Sequence, residues 1–116
     1  MKHILILLTL LIFSGSAYAL NADEYIELYE TVDDEEKFVL EAVIMGMGEG
    51  IIGASDFSGK LYGKKLFCPP QGIYLNNDNY YQIMKSAYTN APDLYKDVQL
   101  EIVLLFGLVA TFPCED

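Results

Sequence analysis

Two cysteines are the first residues to weigh for chemistry. Cys68 lies in Phe67-Cys68-Pro69-Pro70-Gln71-Gly72 and Cys114 in Phe112-Pro113-Cys114, each beside a proline with an aromatic close by. A thiol is a nucleophile only as thiolate, which needs a base or cation at its side. The single histidine is His3, and the chain has no arginine and no tryptophan. His3 falls in a leader segment described below. Without it, neither a Cys–His or Ser–His pair nor a histidine-ligated zinc site can be built. The cysteines have another use. Placed at the two borders of a helical hairpin in an oxidising compartment, they predict one bridge clamping its base. Closing a loop of this size contributes roughly 3–4 kcal/mol by restricting the unfolded chain. Two free thiols, or a bond to another chain, are the alternatives.

Carboxylates are plentiful, with 17 acidic residues against 7 basic ones and a net charge of −10. A two-acid hydrolase needs only Asp or Glu, but a domain this short leaves little room for a substrate cleft. Asp33-Asp34-Glu35-Glu36 is the densest acid block. It lacks the alternating spacing and turn glycine of a calcium loop, whereas acids at a helix start suit the positive end of the helix dipole. No metal, cofactor or enzymatic activity is expected. The acidic balance reads as a solvated surface, or as steering towards a partner with a basic face. Nucleic acid is not an expected partner, since phosphate binding needs clustered Lys and Arg. Lys60, Lys64 and Lys65 form the one basic cluster and are read as solvated, offsetting nearby acids.

The elements that must hold these residues begin after a leader. Lys2, the apolar run over residues 4–13 and Ala17-Tyr18-Ala19 fit a signal peptide over residues 1–19, cut after Ala19. The run is about half the ~20 residues of a membrane span, so the mature chain is expected in the periplasm, with no membrane attachment. Residues 20–116 then form one small domain. Its helices are expected over 22–30, 34–52, 79–89 and 92–110, an all-α bundle of about four helices. Asn21 and Glu24 have the spacing of a capping box for the first. Leu28 and Tyr25 or Tyr29 would face the core. The second carries an apolar stripe of Leu40, Val43, Ile44, Met47 and Ile51.

Ala42, Gly46, Gly50 and Gly53 make a second stripe on that helix, of small residues. It implies either fraying at the glycines or a close helix crossing, within the chain or across a dimer. Residues 53–65 read as loop. Consecutive prolines keep 67–72 extended. The third helix would bury Tyr80, Ile83, Met84 and Ala87 and turn Tyr81, Gln82, Lys85 and Ser86 outward. The fourth, opened by Pro92, would bury Leu94, Val98, Ile102, Leu105 and Val109. Its stretch 102–110 is apolar all round, the pattern of a central helix.

The order of these pieces resembles the Tai family, periplasmic immunity proteins against type VI secretion amidase effectors. Phe67-Cys68-Pro69-Pro70, Tyr81-Gln82-Ile83, Ala91-Pro92-Asp93 and Ala110-Thr111-Phe112-Pro113-Cys114 carry the resemblance, which runs over most of the chain after the leader. It implies a small all-α protein, often a homodimer, that binds a peptidoglycan amidase and occludes its catalytic cleft. An inhibitor needs exposed aromatic and polar anchors on a rigid frame. Tyr74, Asn76, Asn77, Asn79 and Tyr81 would supply such a patch at the clamped turn, unless the tyrosines merely roof the core. A periplasmic acid-stress chaperone, also small, helical, exported and bridged by one disulfide, is the competing reading.

Overall fold

The computed structural model describes residues 20–115; the signal peptide expected over residues 1–19 lies outside them. The described chain is all-α, with five helices: α1 (Ala22–Thr31), α2 (Asp34–Tyr62), α3 (Asn77–Asn90), α4 (Pro92–Tyr95) and α5 (Leu100–Thr111). α5 packs chiefly along α3 and also touches α1 and α2. Leu100, Val103, Leu104 and Leu108 of α5 meet Tyr25 of α1, Ile44 of α2 and Tyr80, Tyr81 and Met84 of α3 in one core. α3 and α5 approach closely because Gly107 has no side chain. A Cβ there would lie 2.9 Å from both the Ile83 carbonyl oxygen and its Cγ2.

The expected bridge is present. Cys68 and Cys114 are joined across a sequence separation of 46 residues. Beside the bridge the Cys68 N–H donates to the Phe112 carbonyl at 2.7 Å.

α2 overturns the expected end at residue 52 and the loop over 53–65: it continues to Tyr62. The glycines do not stop it, because tertiary contacts hold its last turns. The buried Ser55 hydroxyl accepts from Leu66 N–H at 3.0 Å and donates to the Phe67 carbonyl at 3.3 Å. The Ser58 hydroxyl donates to the Lys64 carbonyl. Phe67, fully buried, plugs the gap between them. The stop is Gly63, at φ 73°, in the left-handed region that favours glycine. At the other end the Asp33 carboxylate caps the Glu36 N–H at 3.0 Å.

The small-residue stripe is also corrected. Gly46, Gly50 and Gly53 face open space within the chain, so no crossing inside the domain explains them. The α2 glycines with neighbours are Gly48, against the buried Tyr80 ring, and Gly59, against the Lys65 side chain. Ile44 of the expected apolar stripe is buried, while Val43 is exposed.

The single long fourth helix is in fact two. α4 ends at Tyr95, Asp97 adopts φ 60°, and α5 restarts at Leu100. The break serves residues 20–22. Ala22 N–H donates to the Val98 carbonyl and Leu100 N–H to the Leu20 carbonyl, so this stretch pairs with the lead into α1 rather than with its own helix. The restart shifts the buried face. Leu94 is 69% exposed, Ile102 and Phe106 are also open, and the core takes Leu100, Val103, Leu104 and Leu108 instead. Asn21 is drawn into the same pairing, bridging to Gln99. Its side chain makes no cap bond and donates to Glu24 Oε1, so the expected capping box at α1 does not form. Leu28, expected in the core, is 40% exposed.

Candidate binding site

The disulfide fixes one end of a loop that leads into α3. Ile73 N–H donates to the Pro70 carbonyl at 3.3 Å, and Gly72 sits at φ 84°, the left-handed third position that a type II turn requires. Leu75 drops into the core and anchors the far side. Between these fixed points Ile73 and Tyr74 stand out, Tyr74 with 93% of its surface in solvent. Residues 66–77 carry no charge, in a chain that is otherwise strongly acidic.

The asparagines shape the end of the loop. Asn79 N–H donates to Asn76 Oδ1 at 2.8 Å and Asn76 N–H to Asn79 Oδ1 at 2.9 Å, a reciprocal capping box. Both side-chain oxygens are thereby committed, leaving the amide N–H groups to meet a partner. Asn77 lies half-buried on the first turn of α3. Tyr74, Asn76, Asn77 and Asn79 are thus brought together as a patch.

Tyr81 is not part of that patch. It was expected to point outward, but only 3% of it is exposed. Its ring stacks on Tyr29 at 3.9 Å between centroids, with Tyr25 completing a three-ring cluster between α1 and α3. The Tyr81 hydroxyl donates to Glu30, which also takes Lys85 Nζ at 2.7 Å. The cause is α1, whose aromatic face covers the side of α3 that would otherwise be wet. Removing the Tyr81 ring would therefore unsettle the fold before it reported on binding.

Ile73 was missed from the sequence, though an apolar residue between a turn glycine and an exposed tyrosine was the available signal. A second apolar surface, the groove lined by Leu94, Tyr95, Val98, Ile102 and Phe106, could not be found without the helix break that creates it.

The tyrosines give a test of the packing. Burial first, then the Glu30 carboxylate, push the Tyr81 hydroxyl from its ordinary 10.0 up to about 12. Burial raises Tyr25 and Tyr80 as well, helped by their neighbours Tyr29 and Glu49 respectively. The folded chain therefore holds these protons more tightly than the unfolded one. The contribution of Tyr81 to stability is whole below pH 10 and is lost as the pH rises from 10 through 12, with those of Tyr25 and Tyr80 lost at still higher pH. The melting temperature is expected to fall across that window, and Tyr81→Phe to reduce the slope. A flat profile would mean these hydroxyls are not buried in solution.

Among the described residues no cluster of three His, Cys, Asp or Glu side chains could hold a metal ion. Asp78, exposed on the first turn of α3, is the acid nearest the loop in sequence, and Lys64 and Lys65 precede that loop. Compared with protein-family models, curated proteins and solved structures, the chain matches none.

Proposed function

We propose that this protein is a periplasmic inhibitor that binds a type VI secretion peptidoglycan amidase and occludes its catalytic cleft with the loop around Tyr74. One observation carries the reading: an aromatic side chain 93% exposed at the tip of an uncharged loop held by a disulfide at one end and a capping box at the other. An exposed tyrosine contributes nothing to the fold that would explain its place. A convex, pre-ordered aromatic tip suits insertion into a concave site, because little conformational freedom is lost on binding. The resemblance to the Tai family supplies the partner class, and a disulfide fits an exported protein.

The test is co-expression, in the periplasm, with a peptidoglycan amidase encoded beside its gene, where one is found. Protection from lysis and a complex on a sizing column are expected. Tyr74→Ala should weaken that complex by more than about 1 kcal/mol while leaving the melting temperature unchanged. The association rate should fall as salt rises, given the net charge of −10. Continued lysis with no complex would remove the reading. Capture of many unfolded clients at acid pH would transfer the protein to the chaperone class.

A further inference from the structure

The C-terminal end of α2 gathers what the rest of the surface keeps apart. Phe57, Leu61, Tyr62 and Leu66 are exposed large apolar residues there. Lys60, Lys64 and Lys65 are exposed among them, three of the six lysines that follow the leader. Phe57, Lys60 and Leu61 share one side of the helix, being three and four residues apart. The stretch that follows is folded back alongside. Gly63 turns the chain, the Ser58 hydroxyl holds the Lys64 carbonyl at 2.8 Å, and the Ser55 hydroxyl holds the Leu66 N–H at 3.0 Å. Lysines and apolar side chains are thus presented together on an ordered frame.

Charge is polarised along α2. Asp33, Asp34, Glu35 and Glu36 stand at or beside its start. Over its 29 residues the helix carries them about 40 Å from the lysines, several Debye lengths at physiological salt. Two described acids lie near the lysines. Asp56 pairs with Lys65 at 3.3 Å, and Glu115 is brought to this end by Cys114, whose Sγ lies 3.9 Å from the Lys65 carbonyl oxygen. Asp116 follows, outside the described residues. This end is therefore close to neutral on a chain that carries −10. Lys60 and Lys64 make no ion pair among the described residues. An anionic surface repelled elsewhere can approach here and meet ammonium groups.

An apolar cluster with a tyrosine, edged by lysines, has the make-up of a segment that enters the boundary between lipid headgroups and acyl chains. The apolar side chains bury, the tyrosine sits at headgroup level, and the lysines reach phosphate. α2 is also long and apolar enough to cross a membrane, but crossing would strip Ile44, Gly48 and Ser55 from the core. Dipping its last turns leaves the domain intact. The short apolar run of the leader weighs against a span there and has no bearing on this surface.

We propose that residues 57–66 are a docking surface for an anionic phospholipid membrane, entered end-on, with the acidic body held off by its own charge. The attachment is independent of whatever meets the Tyr74 loop.

The chain has no tryptophan, so Tyr62→Trp, at a position 78% exposed, introduces a single reporter into the purified exported protein. Its emission should shift to the blue with vesicles of phosphatidylcholine containing phosphatidylglycerol, and not with phosphatidylcholine alone. Phe38→Trp, equally open but beside the acid block, should not respond. In flotation, Lys60→Gln and Lys64→Gln should each weaken binding roughly fivefold, and Phe57→Ser about tenfold, at unchanged melting temperature. Raising salt should weaken it severalfold. Protein that stays unbound to the anionic vesicles would overturn the proposal, as would equal binding to phosphatidylcholine alone or indifference to both lysine substitutions. A blue shift of Phe38→Trp as large as that of Tyr62→Trp would reject the end-on surface. A Tyr62→Trp shift that grows with protein concentration in the absence of vesicles would assign the patch to a second copy and reject lipid.

Discussion

Gly48→Ala is expected to destabilise the protein by about 1–2 kcal/mol, although alanine is the better helix former by up to about 1 kcal/mol. The new Cβ would sit 2.5 Å from Cε1 and Cζ of Tyr80 and 2.6 Å from Cδ1. That ring cannot step aside, because it is fully buried and its hydroxyl is tied to Glu49 at 3.2 Å. Either α2 moves away from α3 or the ring leaves its rotamer. Overpacking of this kind typically costs about 1–3 kcal/mol. Gly48→Val, with two further methyl groups against the same ring, should cost more than about 3 kcal/mol or prevent folding. Chemical denaturation measures both. The decisive variant is Gly48→Ala combined with Tyr80→Leu: with the ring gone, the alanine should lose its penalty, giving a coupling of the size seen between residues in contact. If the alanine is equally harmful in both backgrounds, Tyr80 is not its obstacle.

Removing the bridge should have the largest effect. Cys68→Ser with Cys114→Ser is expected to lose roughly 4 kcal/mol, from the freedom returned to the unfolded chain by opening a loop of 46 residues. That is a large share of the ~5–15 kcal/mol that holds a typical domain together. The loss falls unevenly. The Ser55 hydroxyl still gathers Leu66 and Phe67, so α2 keeps its last turns. The segment from Pro69 to Gly72 loses its covalent anchor to the end of α5, and the loop that presents Tyr74 loosens with it. Guanidinium melts of the double variant and of reduced native protein should agree. If both stay within about 1 kcal/mol of the oxidised protein, the Cys68–Phe112 hydrogen bond and the buried Phe67 suffice, and the entropic account fails.

These results bear on what the sequence could disclose. The fold class and the disulfide were legible, because helical periodicity and two lone cysteines behind an apolar, signal-like N-terminal run leave few options. The ends of helices were not. Gly48, Gly50 and Gly53 read as possible stops, yet the glycine in the left-handed conformation that ends α2 is Gly63. What selects it is the hydroxyl of Ser55 and the ring of Phe67, contacts made across a dozen residues. The fourth helix was misread for a related reason. Nothing local marks Val98 and Gln99 as a break, because their partners, Leu20, Asn21 and Ala22, lie more than 70 residues away in sequence. The candidate site was half legible. Turn chemistry placed the loop, on which Tyr74 stands exposed. Tyr81 was lost because periodicity on one helix does not reveal that α1 lays Tyr29 over its outer face.

The position of α5 sets when the core of this protein is completed. α5 touches α1, α2 and α3, it is pinned by Leu20 at its first residue, and the bridge lies just past its last turn. It is also the last of the described helices to leave the ribosome. α1, α2 and α3 contact one another without it, but the core they share lacks Leu100, Val103, Leu104 and Leu108 until α5 arrives, and a helix as exposed as α2 gains little from forming early. Cooperative closure is therefore expected only after translation has passed Thr111, with the earlier helices loosely associated until then.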